Sequence, residues 1–282
     1  MSRARTVTVD GGPYALAAGA DGAMWVTLVH AGAIARIDAD GSVQRFGVGA
    51  GSRPSVIAAG PDGAMWFTRN GDGRIGRITT AGELAEFALA DGTAPYGICA
   101  GPDDALWFTE MTAGGIGRIT VDGEITVTAG VGGMPAMITR GPDDALWFTL
   151  NQGNAIGRLH PRDGLTVRDL PHPNSGPVGI TAAHDDAVWF TEIQGGRLGR
   201  IPLDGALQEM ELPGRPHAVL ADPDDGVWVT LWGTDQIARI GNDGEISSFD
   251  LPAGSEPHGL ALAADGAVWV ALEAGHVLRL PD

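Results

Sequence analysis

Short apolar runs recur along the whole chain, each broken by Gly, Asp, Asn or Pro. The stretch from Pro95 shows one full unit. Pro95-Tyr96-Gly97-Ile98-Cys99-Ala100 is followed by a Pro-Asp-Asp turn and then Leu106-Trp107-Phe108-Thr109-Glu110. After a loop come Ile116-Gly117-Arg118-Ile119-Thr120 and, past Asp122-Gly123, Ile125-Thr126-Val127-Thr128. These are four runs of strand character separated by residues that favour turns. No segment sustains a helical period. The unit repeats: Trp25, Trp66, Trp107, Trp147, Trp189, Trp228 and Trp269 are 39 to 42 residues apart, and a proline lies 12 residues before each one. Four strands in about 41 residues is the signature of a propeller blade. Seven units predict an all-β, seven-bladed β-propeller forming a single domain over residues 1–282. Trp232, the eighth tryptophan, falls outside this spacing.

The two ends fit the same architecture. The last unit stops after a third strand at Val277-Leu278-Arg279-Leu280, and Arg5-Thr6-Val7-Thr8-Val9 precedes the first repeat proline. The N-terminal segment is therefore expected to supply the outer strand of the last blade, pairing the chain ends and removing an open edge.

Composition sharpens this picture. Gly 44 and Pro 18 make up about 22% of the 282 residues, against the usual roughly 12%, as a chain built of hairpins requires. Lys+Arg 18 against Asp+Glu 35 leaves a net charge of −17, which argues against nucleic acid or an anionic membrane as partner. Much of the acid lies in the repeated hairpins, at Asp62, Asp103, Asp143, Asp185, Asp224 and Asp265, where it reads as turn chemistry. The single cysteine, Cys99, excludes a disulfide framework and reads as a small buried apolar residue. The N-terminus has charge without a following apolar run, and no run reaches about 18 apolar residues. A soluble, cytoplasmic, monomeric protein is expected.

Exceptions to the repeat mark where chemistry would sit. In a propeller the inner strand of each blade starts at one face of the axis, and the loop after the second strand returns to that face. Two slots should therefore converge on the axial funnel: the residues just after each repeat proline, and those three to four after each repeat tryptophan. The first slot reads Tyr14, Ser55, Tyr96, Ala136, Val178, His217 and His258. His217 and His258 fall in neighbouring blades six and seven, and Tyr14 belongs to blade one, which closes against blade seven. Glu256 precedes Pro257, and Glu273 follows Trp269 by four residues; Glu110 and Glu192 stand one residue earlier in their own blades. Two carboxylates beside an imidazole suit a hard cation such as Mg²⁺ and a general base near neutral pH. Together they suit proton abstraction from carbon next to a carbonyl, with the metal stabilising the enolate-like charge. Spacing alone leaves the metal and the reaction open. A non-catalytic propeller recognising a peptide or protein on this face accounts for the same cluster. A calcium-dependent lactone hydrolase expects a deeper set of Asp, Asn and Glu that the inner-strand slots do not offer. His30, His160, His172, His184 and His276 read as surface residues. Gly71-Asp72-Gly73 belongs to a hairpin and to no strand–glycine loop–helix unit, so nucleotide binding is not supported.

The chain resembles the virginiamycin B lyase (streptogramin B lyase) family over essentially its full length. The general part of the likeness is the unit G-P-D-x-A-hydrophobic-W-F-T-E with I-G-R-I-T. The specific part is Gly12-Pro13-Tyr14, Arg215-Pro216-His217-Ala218, Glu256-Pro257-His258-Gly259 and Trp269-Val270-Ala271-Leu272-Glu273. The resemblance implies a Mg²⁺-dependent lyase that linearises type B streptogramins, which are cyclic depsipeptides, by elimination at the ester between threonine and the C-terminal phenylglycine. A related lyase acting on another cyclic ester fits the same resemblance. By the same resemblance His258 would be the general base and Glu256 and Glu273 would hold Mg²⁺. His217 would contact substrate, Tyr14 would line the pocket and Trp232 would supply an aromatic wall. Three segments depart from the family pattern: Val229-Thr230-Leu231-Trp232, Tyr14-Ala15 and Gly275-His276-Val277-Leu278.

Overall fold

A computed structural model of the chain describes residues 5–128, 130–224 and 226–280, and every regular element in it is a strand. Among the described residues there are seven four-stranded antiparallel sheets. Six are consecutive meanders. Blade one, for instance, runs Pro13–Ala18, Met24–Leu28, Ala33–Ile37 and Val43–Gly47. The seventh combines Pro257–Leu262, Val268–Leu272 and His276–Arg279 with the N-terminal strand Arg5–Thr8, in the register Arg5 to Arg279 through Thr8 to His276. The closure expected from the chain ends is thus present. Among the described residues no helix is long and apolar enough to cross a membrane.

The core lies between blades. Trp25 and Ile34 of blade one pack with Ile57, Met65 and Phe67 of blade two, and Trp66 of blade two packs with Ile98 and Phe108 of blade three. The repeated I-G-R-I glycine leaves room for the aromatic ring on the strand beside it. A Cβ at Gly76 would lie 2.2 Å from Phe67, and one at Gly117 would lie 2.1 Å from Phe108.

Five repeat tryptophans, Trp25, Trp66, Trp107, Trp147 and Trp189, are tied by their indole N–H to an aspartate of the hairpin between the first two strands of their blade, whereas Trp269 Nε1 has no hydrogen-bond partner among the described residues. The indole N–H of Trp66 donates to Asp62 (3.0 Å), the Arg77 guanidinium donates to the same carboxylate (2.7 Å), and Arg77 also stacks 5.8 Å from the Trp66 ring centroid. Partial burial pushes Asp62, Asp103 and Asp143 up, but the tryptophan and arginine hydrogen bonds outweigh it and hold them below the usual carboxylate range. Blade six corrects the expected series. The acid that meets Arg239 is Asp222, and the Asp224 N–H donates to Asp222 instead (2.9 Å). Asp222 stands where other units carry Gly or Ala, so its carboxylate already lies inside the turn.

The threonine two residues after six of the seven repeat tryptophans sets the inner rim. The pairing of every inner strand with its neighbour is interrupted by a bulge just after the repeat proline, as between Pro13 and Leu16 and between Pro257 and Leu260. Bulges re-aim side chains and locally suspend pairing. The threonine hydroxyl fills that gap. Thr230 accepts the Ala218 N–H (2.9 Å) of its own blade and donates to the His258 carbonyl (2.8 Å) of the next. Thr191 likewise accepts from Gly179 (2.9 Å) and donates to the His217 carbonyl (2.7 Å). In six of the seven blades the residue after the repeat proline is thereby held from the preceding blade. Blade seven alone has Ala271 at this position, fully buried and facing blade one. Ala271→Thr is expected to complete the ring of hydroxyl bridges. The gain should be about 1 kcal/mol, the net worth of a buried hydrogen bond, and thermal unfolding should rise by about 2 °C. An unchanged or lowered melting temperature would show that this seam has no vacant donor or acceptor.

Candidate active site at the axial mouth

Two backbone rules bring the exceptional residues together. The residue before each repeat proline has positive φ in all seven blades, from 46° at Arg53 to 75° at Gly12, with Glu256 at 50° and Arg215 at 57°. Its carbonyl accepts the N–H of the residue four places after the repeat tryptophan, as from Trp232 to Arg215 (3.2 Å) and from Glu273 to Glu256 (3.0 Å). Glu256 and Glu273 are therefore backbone neighbours by construction. Trp232, outside the tryptophan spacing, occupies in blade six the position that Glu273 occupies in blade seven. The Arg215 guanidinium stacks over it, 5.3 Å from the ring centroid.

The side chains then converge. The His258 ring lies 4.5 Å from Tyr14, 4.6 Å from His217 in an edge-on arrangement, and 6.4 Å from Trp232, all between centroids. Tyr14 and Tyr96 share a hydrogen bond between their hydroxyls. His258 Nε2 makes an ion-pair contact with Glu273 Oε2, off the line of a well-aligned hydrogen bond. The other carboxylate oxygen, Oε1, lies 2.7 Å from His30 Nε2. Glu256 sits at the mouth with an exposed side chain, its N–H donating to Asp235 (2.9 Å). Beneath the cluster the axis holds a cavity of about 170 Å³, roofed by Tyr14, Tyr96 and His217 and walled by inner-strand residues such as Leu16, Ile98 and Met137.

Of the residues singled out in the sequence, Tyr14, His217, Trp232, His258 and Glu273 form one cluster, with Glu256 joined to it through the backbone. Two differences are instructive. His258, placed by its slot at the axial funnel, is only 7% exposed, because Tyr14 and His217 close over its ring. His30, read as a surface histidine, is indeed mostly exposed yet bonds Glu273. Tyr96 stood among the axial slots without a role, and its aromatic character, shared with Tyr14, was the available signal.

Burial governs the electrostatics. It pushes His217 down to about 3, aided by the neighbouring His258 and opposed by Glu273, so His217 is neutral across the physiological range. Contact with His258 holds the Glu273 carboxyl below the usual range despite partial burial. Burial raises Tyr14 well above the ordinary phenol value, and Tyr96 adds to this. His217 Nδ1, His258 Nδ1 and Trp232 Nε1 are buried polar atoms without a hydrogen-bond partner among the described residues. Three orphaned polar atoms in one cluster point to a ligand that satisfies them.

No group of three or more His, Cys, Asp or Glu among the described residues is arranged to hold a metal ion. An all-protein cage is therefore not offered. Two adjacent carboxylates, Glu256 and Glu273, do match the donor set of Mg²⁺, which retains most of its waters and takes one or two carboxylates.

The acids one residue earlier do not join the site. Glu110 and Glu192 turn into their blades and are buried. Neither carboxyl oxygen of Glu192 meets a well-formed hydrogen-bond donor, and burial, with Glu209 alongside, pushes its pKa up. A folded pKa above the unfolded one gives stability that is complete below the ordinary glutamate value and is lost as pH rises through the folded value. Glu192→Gln is therefore expected to raise the melting temperature at about pH 8 and to leave it unchanged near pH 4. Equal effects at both pH values would show that charge burial at Glu192 costs nothing.

Residues 1–280 match the virginiamycin B lyase family. A virginiamycin B lyase from Mycolicibacterium smegmatis is 78% identical over 282 residues, covering 100% of both chains. The chain belongs to the virginiamycin B lyase family. Another virginiamycin B lyase, from Mycobacterium sp. strain JLS, is 79% identical over 274 residues, 97% of this chain and 98% of that one. Among solved structures, a streptogramin B lyase superposes with a TM-score of 0.93 at 36% identity, covering 98% of this chain and 96% of the other. A catalytically inactive histidine-to-alanine virginiamycin B lyase from Staphylococcus aureus, with quinupristin, superposes equally well at 37% identity and 98% coverage of both chains. Membership in the virginiamycin B lyase family supports a lyase activity in general.

Proposed function

We propose that this protein linearises type B streptogramin antibiotics by magnesium-assisted elimination at the threonine–phenylglycine ester, as a cytoplasmic monomer. The observation that carries this reading is the buried His258 at the axis, in contact with the Glu273 carboxylate and with its Nδ1 unpaired. His258 takes the α-proton of the threonine residue. The electrons of that C–H bond form the α–β double bond, and the phenylglycine carboxylate leaves from the β-carbon with the pair of the broken C–O bond. The proton passes through the histidine to the released carboxylate or to solvent, so the open chain in its neutral form is an isomer of the ring. A carboxylate needs little acid assistance to leave, so the carbon acid is the difficult step and the base acts on it directly. When bound at Glu256 and Glu273, magnesium supplies Lewis-acid stabilisation for charge developing on the carbonyl oxygen beside that carbon. His217, held neutral, offers the substrate a hydrogen bond at Nδ1, and Trp232 and Tyr14 present aromatic faces to its rings.

Incubation with a type B streptogramin and Mg²⁺ tests this. Elimination opens the ring at unchanged mass, with a new double bond absorbing in the ultraviolet. Hydrolysis adds one water and would replace the elimination mechanism. Binding without any product, with or without Mg²⁺, would favour the non-catalytic recognition reading of the same face.

A further inference from the structure

We propose that His30 is a positioning residue, holding the Glu273 carboxylate from the opposite side of the ring seam so that its other oxygen stays against His258. His30 comes from blade one, five residues after Trp25, whereas Glu273 and His258 come from blade seven; His30 and Glu273 are 243 positions apart in sequence. The imidazole meets Glu273 Oε1 at 2.7 Å, while Oε2 faces His258. A glutamate carboxylate turns freely about its last torsion, which has broad minima. Fixing one oxygen therefore decides where the other sits.

The surroundings are shaped for this contact. Gly12 lies directly behind the His30 ring, and a Cβ there would come within 2.4 Å of His30 Cδ2. The space for the imidazole thus depends on a residue without a side chain, at a backbone φ of 75°. The Val29 and His30 N–H groups donate to the Gly12 and Gly11 carbonyls, at 2.9 and 3.0 Å, which holds the loop against the start of the inner strand. His30 is 63% exposed at the side chain and Glu273 is 20% exposed. The contact is made from the solvent side, and its loss leaves no cavity in the core. His30 touches neither the His258 ring nor the orphaned polar atoms, so it acts through Glu273.

This inference rests on the proposed lyase function, and the experiment separates the two. Ring opening of a type B streptogramin is followed for wild type, His30→Ala, His30→Gln and Gly12→Ala, with thermal unfolding of each. His30→Ala is expected to lower kcat about 10- to 100-fold, as for other groups that orient a site residue. KM should stay within about threefold, the mark of an interaction that acts on the chemical step. The melting temperature should be unchanged. His30→Gln, whose amide N–H can reach Oε1, should recover most of the loss. Gly12→Ala should lower kcat in the same way with the imidazole chemically intact. A wild-type kcat in His30→Ala, or no recovery in His30→Gln, would overturn the positioning role while leaving the lyase function standing. A wild type that opens no streptogramin would overturn the function and this inference with it.

Discussion

Replacing His258 with alanine is expected to reduce kcat by about 10²- to 10⁴-fold, the range supplied by a positioned general base, with substrate still bound. The expectation rests on geometry. His258 contacts the Glu273 carboxylate on one side and has an unpaired Nδ1, and its ring is fixed by Tyr14 at 4.5 Å and His217 at 4.6 Å. The adjacent His217 does not substitute, because burial pushes it down to about 3, too weak a base for a carbon acid at neutral pH, and His30 meets Glu273 from the far side. Because His258 is 7% exposed, its removal is expected to cost about 1–2 kcal/mol of stability, the ordinary range for a buried truncation. The backbone stays in place, since Thr230 bonds the His258 carbonyl and not its ring. Steady-state kinetics, calorimetric titration with substrate and a thermal melt read the three effects separately. Retention of more than about a tenth of the wild-type kcat would take the base role from His258.

Glu273→Gln is expected to be nearly as damaging, at about 10²- to 10³-fold in kcat, from several kcal/mol of lost charge stabilisation. The substitution keeps the shape of the side chain and removes its charge. That charge is present at neutral pH, because His258 and His30 hold the carboxyl below the usual range. A chelator should reduce the wild type to a similar level, and Mg²⁺ should restore it. Calorimetry should find Mg²⁺ binding in the wild type and not in Glu273→Gln or Glu256→Gln. Glu256 is tied to Glu273 through the 3.0 Å backbone bond, so loss of either carboxylate should have the same sign. Full activity in the presence of chelator would remove magnesium from the mechanism and leave Glu273 as a partner of His258 alone.

Blade number, strand order and closure are readable in the chain because each follows from a local rule applied seven times. A proline 12 residues before a tryptophan, turns rich in Gly and Asp, and a truncated last unit leave few topologies to consider. The axial slots were legible for the same reason, since equivalent positions of equivalent blades meet at the axis. Other features were not. His30 follows its tryptophan by five residues and Glu273 follows by four, so no repeat alignment pairs them. Tyr96 and Tyr14 are 82 residues apart and meet only across the mouth. Asp222 displaces Asp224 because one turn carries an acid where its equivalents carry Gly or Ala.

By itself, then, the sequence determined a ring of seven sheets and the short set of slots facing its axis. A four-stranded unit cannot bury both of its faces, so identical units must stack and the spacing alone counts them. Only the tertiary structure decided which side chains touch at the mouth. The His30–Glu273–His258 contact spans the seam where the first blade meets the last, and a contact of that kind depends on closure of the ring rather than on any periodicity within it.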